Sequence, residues 1–398
     1  MMSLYCPSPS TDQAHLSAGE SVYVRSGGKL QVISFEEALS RTAGVKRHLL
    51  LGNGFSIALF PKRFSYASLL ESTDFSAHPE AREAFKLLGT TDFEVVINAL
   101  RQAVILAPIY GESSSAKAKM SSHADALKEL LVQAIAGKHP ERPADIADYQ
   151  YGACRRFLAH FVGDSRGGKP DLRGDVYTLN YDLLLYWTLL HDEIVSIDPK
   201  RPLRIAIEVT ESLAHDDGFR APEDNPDAEY VTWDGEASHK QNVHFLHGGL
   251  HLFDHGFQLQ KKCWERSGGQ PLIDQIRSAL DSARFPLFVS EGQSKGKLER
   301  IRHSGYLHKG LRSFRGNCDQ PKPALFIFGH SLAENDAHIL RQIEKGKIGQ
   351  VFISLYGEPE SPSNQAIMAR AELMRSRRLD RAPMQVYFYD SASTQVWG

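Results

Sequence analysis

The chain has 398 residues, is 42% hydrophobic and 24% charged, and carries a formal charge of −2 from 46 basic and 48 acidic side chains. That balance is ordinary for a folded globular protein and supplies no field to draw it to nucleic acid or to a membrane surface. The length accommodates one large α/β domain with insertions, or two domains. No apolar run reaches spanning length, and the Ser- and Pro-rich residues 1–20 lack the apolar core of a signal peptide. Cys6, Cys154, Cys263 and Cys318 lie far apart with no C-x-x-C, which reads as reduced thiols in a cytoplasmic protein and not as a zinc knuckle.

In chain order, Ser21 to Ser34 alternates around Gly27-Gly28 as a hairpin does, and Phe35 to Ala43 reads as a short helix. Residues 1–45 are therefore expected as an N-terminal segment ahead of a domain over 46–398. The first core strand, His48 to Leu51, runs into Gly52-Asn53-Gly54-Phe55-Ser56. Glycines at such a strand-to-helix turn serve either a tight turn or the close approach of backbone to a phosphate. A dinucleotide fingerprint wants a third glycine where Ile57 stands, which speaks against an ordinary dehydrogenase. Residues 64–165 have helical spacing and no strand pattern, with apolar stripes over 93–106, 116–136 and 146–161 and a Ser113-Ser114-Ser115 joint. They read as a helical insertion over the crevice of the first strand. Glu94, in a first helical turn, either faces that crevice or is a solvated carboxylate.

Val176 to Leu179 has the composition of a buried strand and ends in Asn180-Tyr181-Asp182, ahead of a helix over Leu183 to His191. An Asn and an Asp at the carboxyl end of a parallel strand stand where open α/β sheets bind ligands, although Asn also caps helices there. An irregular insertion over 195–242 holds two β-like runs, Arg204 to Val209 and Tyr230 to Trp233. Val243 to Leu246 ends in His247-Gly248-Gly249, and Leu250 to Leu259 reads as a hairpin around Asp254-His255-Gly256. Phe285 to Val289 reads as a further strand, Lys295 to Arg315 as a basic helix with a solvated face, and Ala324 to Phe328 as a strand ending in Gly329-His330-Ser331-Leu332. Asp336 then either caps the next helix or contacts ligand. Gln350 to Leu355 and Met384 to Tyr389, with a helix over Ser363 to Arg377 between them, complete about seven strands. The alternation predicts a Rossmann-like, doubly wound, mostly parallel sheet. His239, His244, His247, His251 and His255 are spread over a hairpin by Gly248-Gly249, so no metal is expected.

Parallel strands place all of these ends on one edge of the sheet. GNGFS, TLNYD, LHGG and GHSL, in that order, resemble the sirtuin-like superfamily, whose members bind NAD through G-A-G-x-S, T-Q-N-x-D, a His-Gly and G-T-S-L. The resemblance runs from Leu49 to about Asp336. It implies that Gly52, Gly54 and Ser56, in the turn that includes Asn53 and Phe55, cradle the pyrophosphate. Thr178 and Tyr181 would border the dinucleotide, Asn180 would hold the nicotinamide ribose and position the nucleophile, and Asp182 would meet the carboxamide. His247 would be the general base, and Gly329, His330, Ser331 and Leu332 would line the adenosine half. Protein deacylases of the superfamily carry a four-cysteine zinc module between the His and the G-T-S-L turn, an interval that here holds only Cys263 and Cys318. The chain is therefore similar to the bacterial branch that destroys NAD in defence against phage, usually as oligomers held inactive until triggered. That likeness implies NAD as substrate, no metal, a homo-oligomer, and an activating or inhibiting protein partner.

The chemistry of the implied reaction suits these residue types. Nicotinamide leaves a pyridinium riboside as a neutral molecule, so no general acid is needed; the site must steady an oxocarbenium-like transition state and a water with a base nearby. Asn180 and His247 meet those two needs. Transfer of ADP-ribose, cyclisation, and non-catalytic sensing of NAD or ADP-ribose are the alternatives that the same residues leave open.

Overall fold

A computed structural model describes residues 25–26, 29–111, 114–163, 169–191, 212–236, 240–256, 258–263, 270–378 and 382–398. Arg25–Ser26 pairs antiparallel with Lys29–Leu30 in one small unit, and a second unit runs from Val32 onward. The hairpin expected over Ser21 to Ser34 is thus cut short. Val32–Ile33 leaves it to join the main sheet, and Phe35–Arg41 forms a helix of the same unit, so the segment expected over 1–45 divides at residue 32.

The main sheet has seven parallel strands: β1 (Val32–Ile33), β2 (Arg47–Leu51), β3 (Val176–Thr178), β4 (Val243–Phe245), β5 (Ala324–Phe328), β6 (Gln350–Leu355) and β7 (Gln385–Asp390). Their order is β1-β7-β6-β5-β2-β3-β4, an α/β Rossmann-like arrangement. β2 and β5 are fully buried apart from Arg47, as strands covered on both faces must be, and their runs of Leu, Ile and Phe carry no alternation. Phe326 stacks on Phe352 at 4.6 Å, and Phe157 and Phe161 of the helix Asp148–Val162 close on Phe328 and Phe326 at 5.4 Å each. That helix, expected as part of the insertion, is instead a covering layer of the sheet.

The remainder of the helical block matches expectation in type. Tyr66–Ser72, Pro79–Leu88, Phe93–Leu106 and Ser114–Lys138 are α-helices, with Asp92 capping the third through the Glu94 N–H at 2.8 Å. Ser114 and Ser115 lie in the first turn of a helix and not in a joint; Ser113 is outside the described residues. Contrary to the expectation that no apolar run reaches spanning length, Phe93–Tyr110 has the length and hydropathy of a membrane span. Phe93, Glu94, Val96 and Ile97 nevertheless bury one face of it within the protein.

Two strand positions differ from expectation. Phe285 to Val289 does not enter the main sheet: it crosses the end of β4 antiparallel, bridging Gly248 to Phe288 with Gly249 N–H donating to Leu287 O at 3.0 Å. The seventh place belongs to Val32–Ile33. The expected basic helix is two helices, Ser294–His303 and Gly305–Cys318, broken at Ser304, whose hydroxyl caps the second. Tyr230–Trp233 and the hairpin strands Leu252–Asp254 and Leu259–Lys262 do form, in a separate antiparallel sheet with Phe219–Arg220. Arg204 to Val209 lies outside the described residues.

Several core histidines are neutral. Burial holds His48 and His244 at about 4 and His139 and His251 at about 3. His139 accepts the Leu183 N–H at Nε2, so its Nδ1 carries the proton and donates to Pro140 O, both at 3.0 Å. His251 stacks on Tyr186 at 4.6 Å and neither ring nitrogen has a hydrogen-bond partner. In the unfolded chain each would take a proton near 6.5, while the folded chain resists until lower pH. Folded-state stability is therefore fully present above about 6.5 and is lost as pH falls towards 4, by up to ~1.4 kcal/mol per pH unit for each such histidine. Denaturant unfolding followed against pH should show this decline, and His251→Phe should flatten it by about one proton. An unchanged slope would show that His251 is not a neutral core ring.

Candidate active site at the strand ends

The chain order of the sheet reverses between β2 and β5, since β3 and β4 lie to one side and β6 and β7 to the other. In open α/β sheets the crevice beyond the strand ends at such a point is where ligands bind. Here the turns after β2 and β5 touch backbone to backbone. Gly52 N–H donates to Phe328 O at 2.9 Å and Gly54 N–H to Gly329 O at 2.8 Å. A Cβ on Gly52 would stand 2.6 Å from Gly329 O, and one on Gly54 2.5 Å from Gly329 Cα. Gly329 itself has φ +68°. The contact between the turns therefore requires all three glycines, whatever else they meet. Asn53 donates to Phe64 O at 3.1 Å, and Phe55 is clamped by Trp397, whose Nε1 donates to the Phe55 carbonyl at 2.9 Å.

The parallel ladder sets the height of the next residues. Thr178 pairs with Leu51 on one side and Phe245 on the other, and the ladder continues past the strands as Leu179 N–H to Leu51 O and Leu246 N–H to Thr178 O. One residue further, Asn180 and His247 stand level beyond neighbouring strands, which run about 4.8 Å apart. Asn180 Nδ2 donates to Ser56 Oγ at 3.0 Å, and Ser56 Oγ donates to Asp182 Oδ2 at 2.5 Å. Asp182 Oδ1 accepts the Leu184 N–H at 2.9 Å. Three residues singled out in sequence are thus one buried hydrogen-bonded chain. Burial pushes the Asp182 carboxyl up, opposed by the Ser56 hydroxyl and the Leu184 amide. It is Asp182 and not Asn180 that serves the start of the following helix. Tyr181 anchors by donating to Val289 O at 2.5 Å, its ring 6.4 Å from that of His247.

Around His247 lies a second buried group that the sequence did not announce. Lys297 is 1% exposed and donates to Glu94 Oε2 at 2.7 Å and to Asp336 Oδ1 at 2.8 Å; Asn335 also donates to Glu94. The solvated face expected for this lysine, the solvated reading of Glu94 and the capping role expected of Asp336 are all replaced by this network. Asp336 stands at the N-cap position but its side chain caps nothing. Leu332, buried at φ +55°, donates its N–H to His330 Nδ1 at 2.9 Å, so the proton of a neutral His330 sits on Nε2 and is given to Asp336 Oδ2 at 3.1 Å. Burial raises the Glu94 carboxyl to about 7 against the pull of Lys297. For Asp336 burial works the same way, but Lys297 and His330 overcome it and hold the carboxyl well below its ordinary range. Burial, then Lys297, keep His247 well below an ordinary histidine.

Of the remaining sequence-named residues, Ser331 is exposed and its carbonyl accepts from Arg370. Asn180, His247 and His330 are 8%, 2% and 6% exposed, so the strand-end site is closed to solvent. His244 and His251 stack on separate tyrosines, Tyr177 and Tyr186, and do not converge with His247. Lys297, and His338, whose Nε2 lies 3.0 Å from that of His247, carry no local signal because their partners are remote in sequence; the one signal available is that Asp336 and His338 follow GHSL by four and six residues.

A family model matches residues 49–397, from within β2 to the Trp397 clamp. The chain belongs to the DUF4917 family. The description of that family is a domain of unknown function, and no curated protein matches the chain. In this DUF4917 protein Lys297 is the element most open to test. Lys297→Met leaves two buried carboxylates without their cation and should cost about 3–5 kcal/mol in urea unfolding. Adding Glu94→Gln should recover part of that loss; equal stability of Lys297→Met and wild type would mean the network is not formed.

Proposed function

We propose that this protein is a cytoplasmic NAD glycohydrolase that cleaves NAD to nicotinamide and ADP-ribose, acting as an NAD-depleting effector in defence against phage. The observation that carries the reading is the Asn180–Ser56–Asp182 chain, standing level with His247 at the sheet's switch point. Because Asn180 gives its amide N–H to Ser56, its carbonyl oxygen remains to hold a ribose hydroxyl or the attacking water. Water attacks the anomeric carbon through an oxygen lone pair and passes a proton to His247. The bond to nicotinamide breaks with its electron pair going to the pyridinium nitrogen, so the leaving group departs neutral. His247 suits the role of base, since burial keeps it unprotonated well below pH 6.5.

Entry of NAD requires the layer around Glu94 and Tyr181 to move off the strand ends, which fits an enzyme held inactive until triggered. Ile105, Ile109 and Tyr110 are 66%, 74% and 77% exposed, which supports assembly with a second copy of the chain. The closed site also favours one rival reading, a subunit that binds NAD or ADP-ribose and reports to a protein partner without catalysis.

Nicotinamide release by the purified protein separates these. Wild type should release it, and Asn180→Ala and His247→Ala should each lose on the order of 10²-fold or more in kcat. Activity of the wild type should persist below pH 6.5, where an ordinary histidine is protonated. Binding without release points to the sensor or to an enzyme awaiting its activator, and absence of NAD binding by calorimetry sinks the reading altogether.

A further inference from the structure

Nε2 of His247 lies 3.0 Å from Nε2 of His338. The ring planes are within 21° and the ring centroids 5.2 Å apart, so beyond the two nitrogens little more than the ring radii remains. The two lone-pair directions therefore run along one line. Ring nitrogens facing in this way at this distance share one proton: two bare lone pairs repel, and two N–H groups collide. Burial lowers both rings, His338 to about 4, so neither is charged at neutral pH. With Asp336 the two histidines bring three ligand-type atoms within 4.8 Å of one another, which raises a cation as the alternative. A cation, however, needs lone pairs that converge on it, and here they oppose. The carboxylate oxygen nearest His247 is, moreover, already held by the Lys297 ammonium at 2.8 Å. The contact is a hydrogen bond between histidines.

We infer that His338 is the positioning residue for His247, an inference that rests on the hydrolase reading: it accepts the Nε2 proton and so leaves Nδ1 of His247 as the bare, basic nitrogen. The direction follows from the role of base that the hydrolase reading gives His247, since only this arrangement leaves it a bare nitrogen. Asp336 Oδ1, 3.9 Å from Nε2 of His247, favours a proton there against the opposing Lys297 ammonium. In the reverse arrangement Nδ1 bears the proton and His247 cannot act as a base. When Nδ1 takes the proton of the attacking water, the imidazolium keeps its Nε2–H on His338, and Asp336 answers the new charge. His338 can hold this position because it lies in the first turn of the helix Ala337–Lys345, two residues after Asp336, where its carbonyl accepts from the Gln342 side-chain Nε2 at 2.8 Å. The turn that ends β5 thus supplies the carboxylate and, one helical step on, the ring that sets the tautomer.

The experiment compares wild type with His338→Gln, which keeps a side-chain acceptor, and His338→Phe, which keeps ring bulk without one. Proteins with 15N-labelled histidine give the tautomer of His247 by long-range 15N–1H spectra, and steady-state nicotinamide release gives kcat and KM. The expected spectrum of the wild type has the proton of His247 on Nε2, and His338→Phe loses that preference. In the same variant kcat should fall on the order of 10²-fold while KM and calorimetric NAD affinity stay within about twofold, and His338→Gln should recover at least about a tenth of the wild-type kcat. A wild-type His247 protonated on Nδ1, or an unchanged kcat in His338→Phe, overturns the inference. So does stoichiometric zinc that accompanies the wild type and is lost with His338→Phe. Absence of nicotinamide release with His247 protonated on Nε2 overturns the hydrolase reading and leaves the tautomer assignment supported.

Discussion

Backbone contact between the Gly52-Asn53-Gly54 turn and Gly329 governs everything placed beyond the strand ends. Two amide-to-carbonyl bonds join the turns, and no side chain separates them. The helix that carries Ser56 therefore starts against the β5 turn, and the turn that carries His330, Leu332 and Asp336 starts against the β2 turn. From the first hang Asn180 and Asp182, through the Ser56 hydroxyl; from the second hang His330 and Lys297, through the Asp336 carboxylate. A displacement of a few tenths of an ångström between the turns would pull these two groups apart, because close-packed interiors transmit strain instead of absorbing it.

The two groups differ in kind. The Asn180–Ser56–Asp182 chain contains at most one charge and satisfies it with a hydroxyl and a main-chain amide. The Glu94–Lys297–Asp336 group is a buried ion network whose desolvation is offset only while all members are present. Its Glu94 comes from the helical layer and its other members from the sheet side, so it is also what seats that layer on the crevice. A glycine at 292 allows the approach, since a Cβ there would stand 2.8 Å from the Glu94 carbonyl. Such a network adds little net stability but strongly disfavours partial opening, and a closed site with a definite shut position is the result.

Legibility in the sequence followed the range of the interactions. Apolar runs ending in polar turns marked six of the seven sheet strands, and the glycines of GNGFS and GHSL marked the place where the sheet reverses. Phe285 to Val289 was misplaced because a five-residue apolar run between turns has the same appearance in a ladder as in a segment crossing its end. Val32–Ile33 was too short to be distinguished from a hairpin arm. Lys297 looked like any lysine of a basic helix, since nothing local shows that two carboxylates from residues 94 and 336 meet it. His338 had no flanking glycine or alternation to set it apart from an ordinary helix residue. The chemistry that depends on residue type at a turn was readable; the chemistry that depends on a distant partner was not.

The pairing of Arg47 with Ala324 has a consequence for the birth of the molecule. A nascent chain emerging from the ribosome displays the β2 turn long before translation reaches the strand that must lie beside it. Until β5 is made, the glycines of the β2 turn have no backbone to rest on, and Asp336 and His338 do not yet exist. Local helices can form meanwhile, but non-local parallel pairing comes last and slowly. For a protein proposed to consume NAD, this topology leaves the nascent chain without a complete strand-end site until β5 and the turn after it have been made.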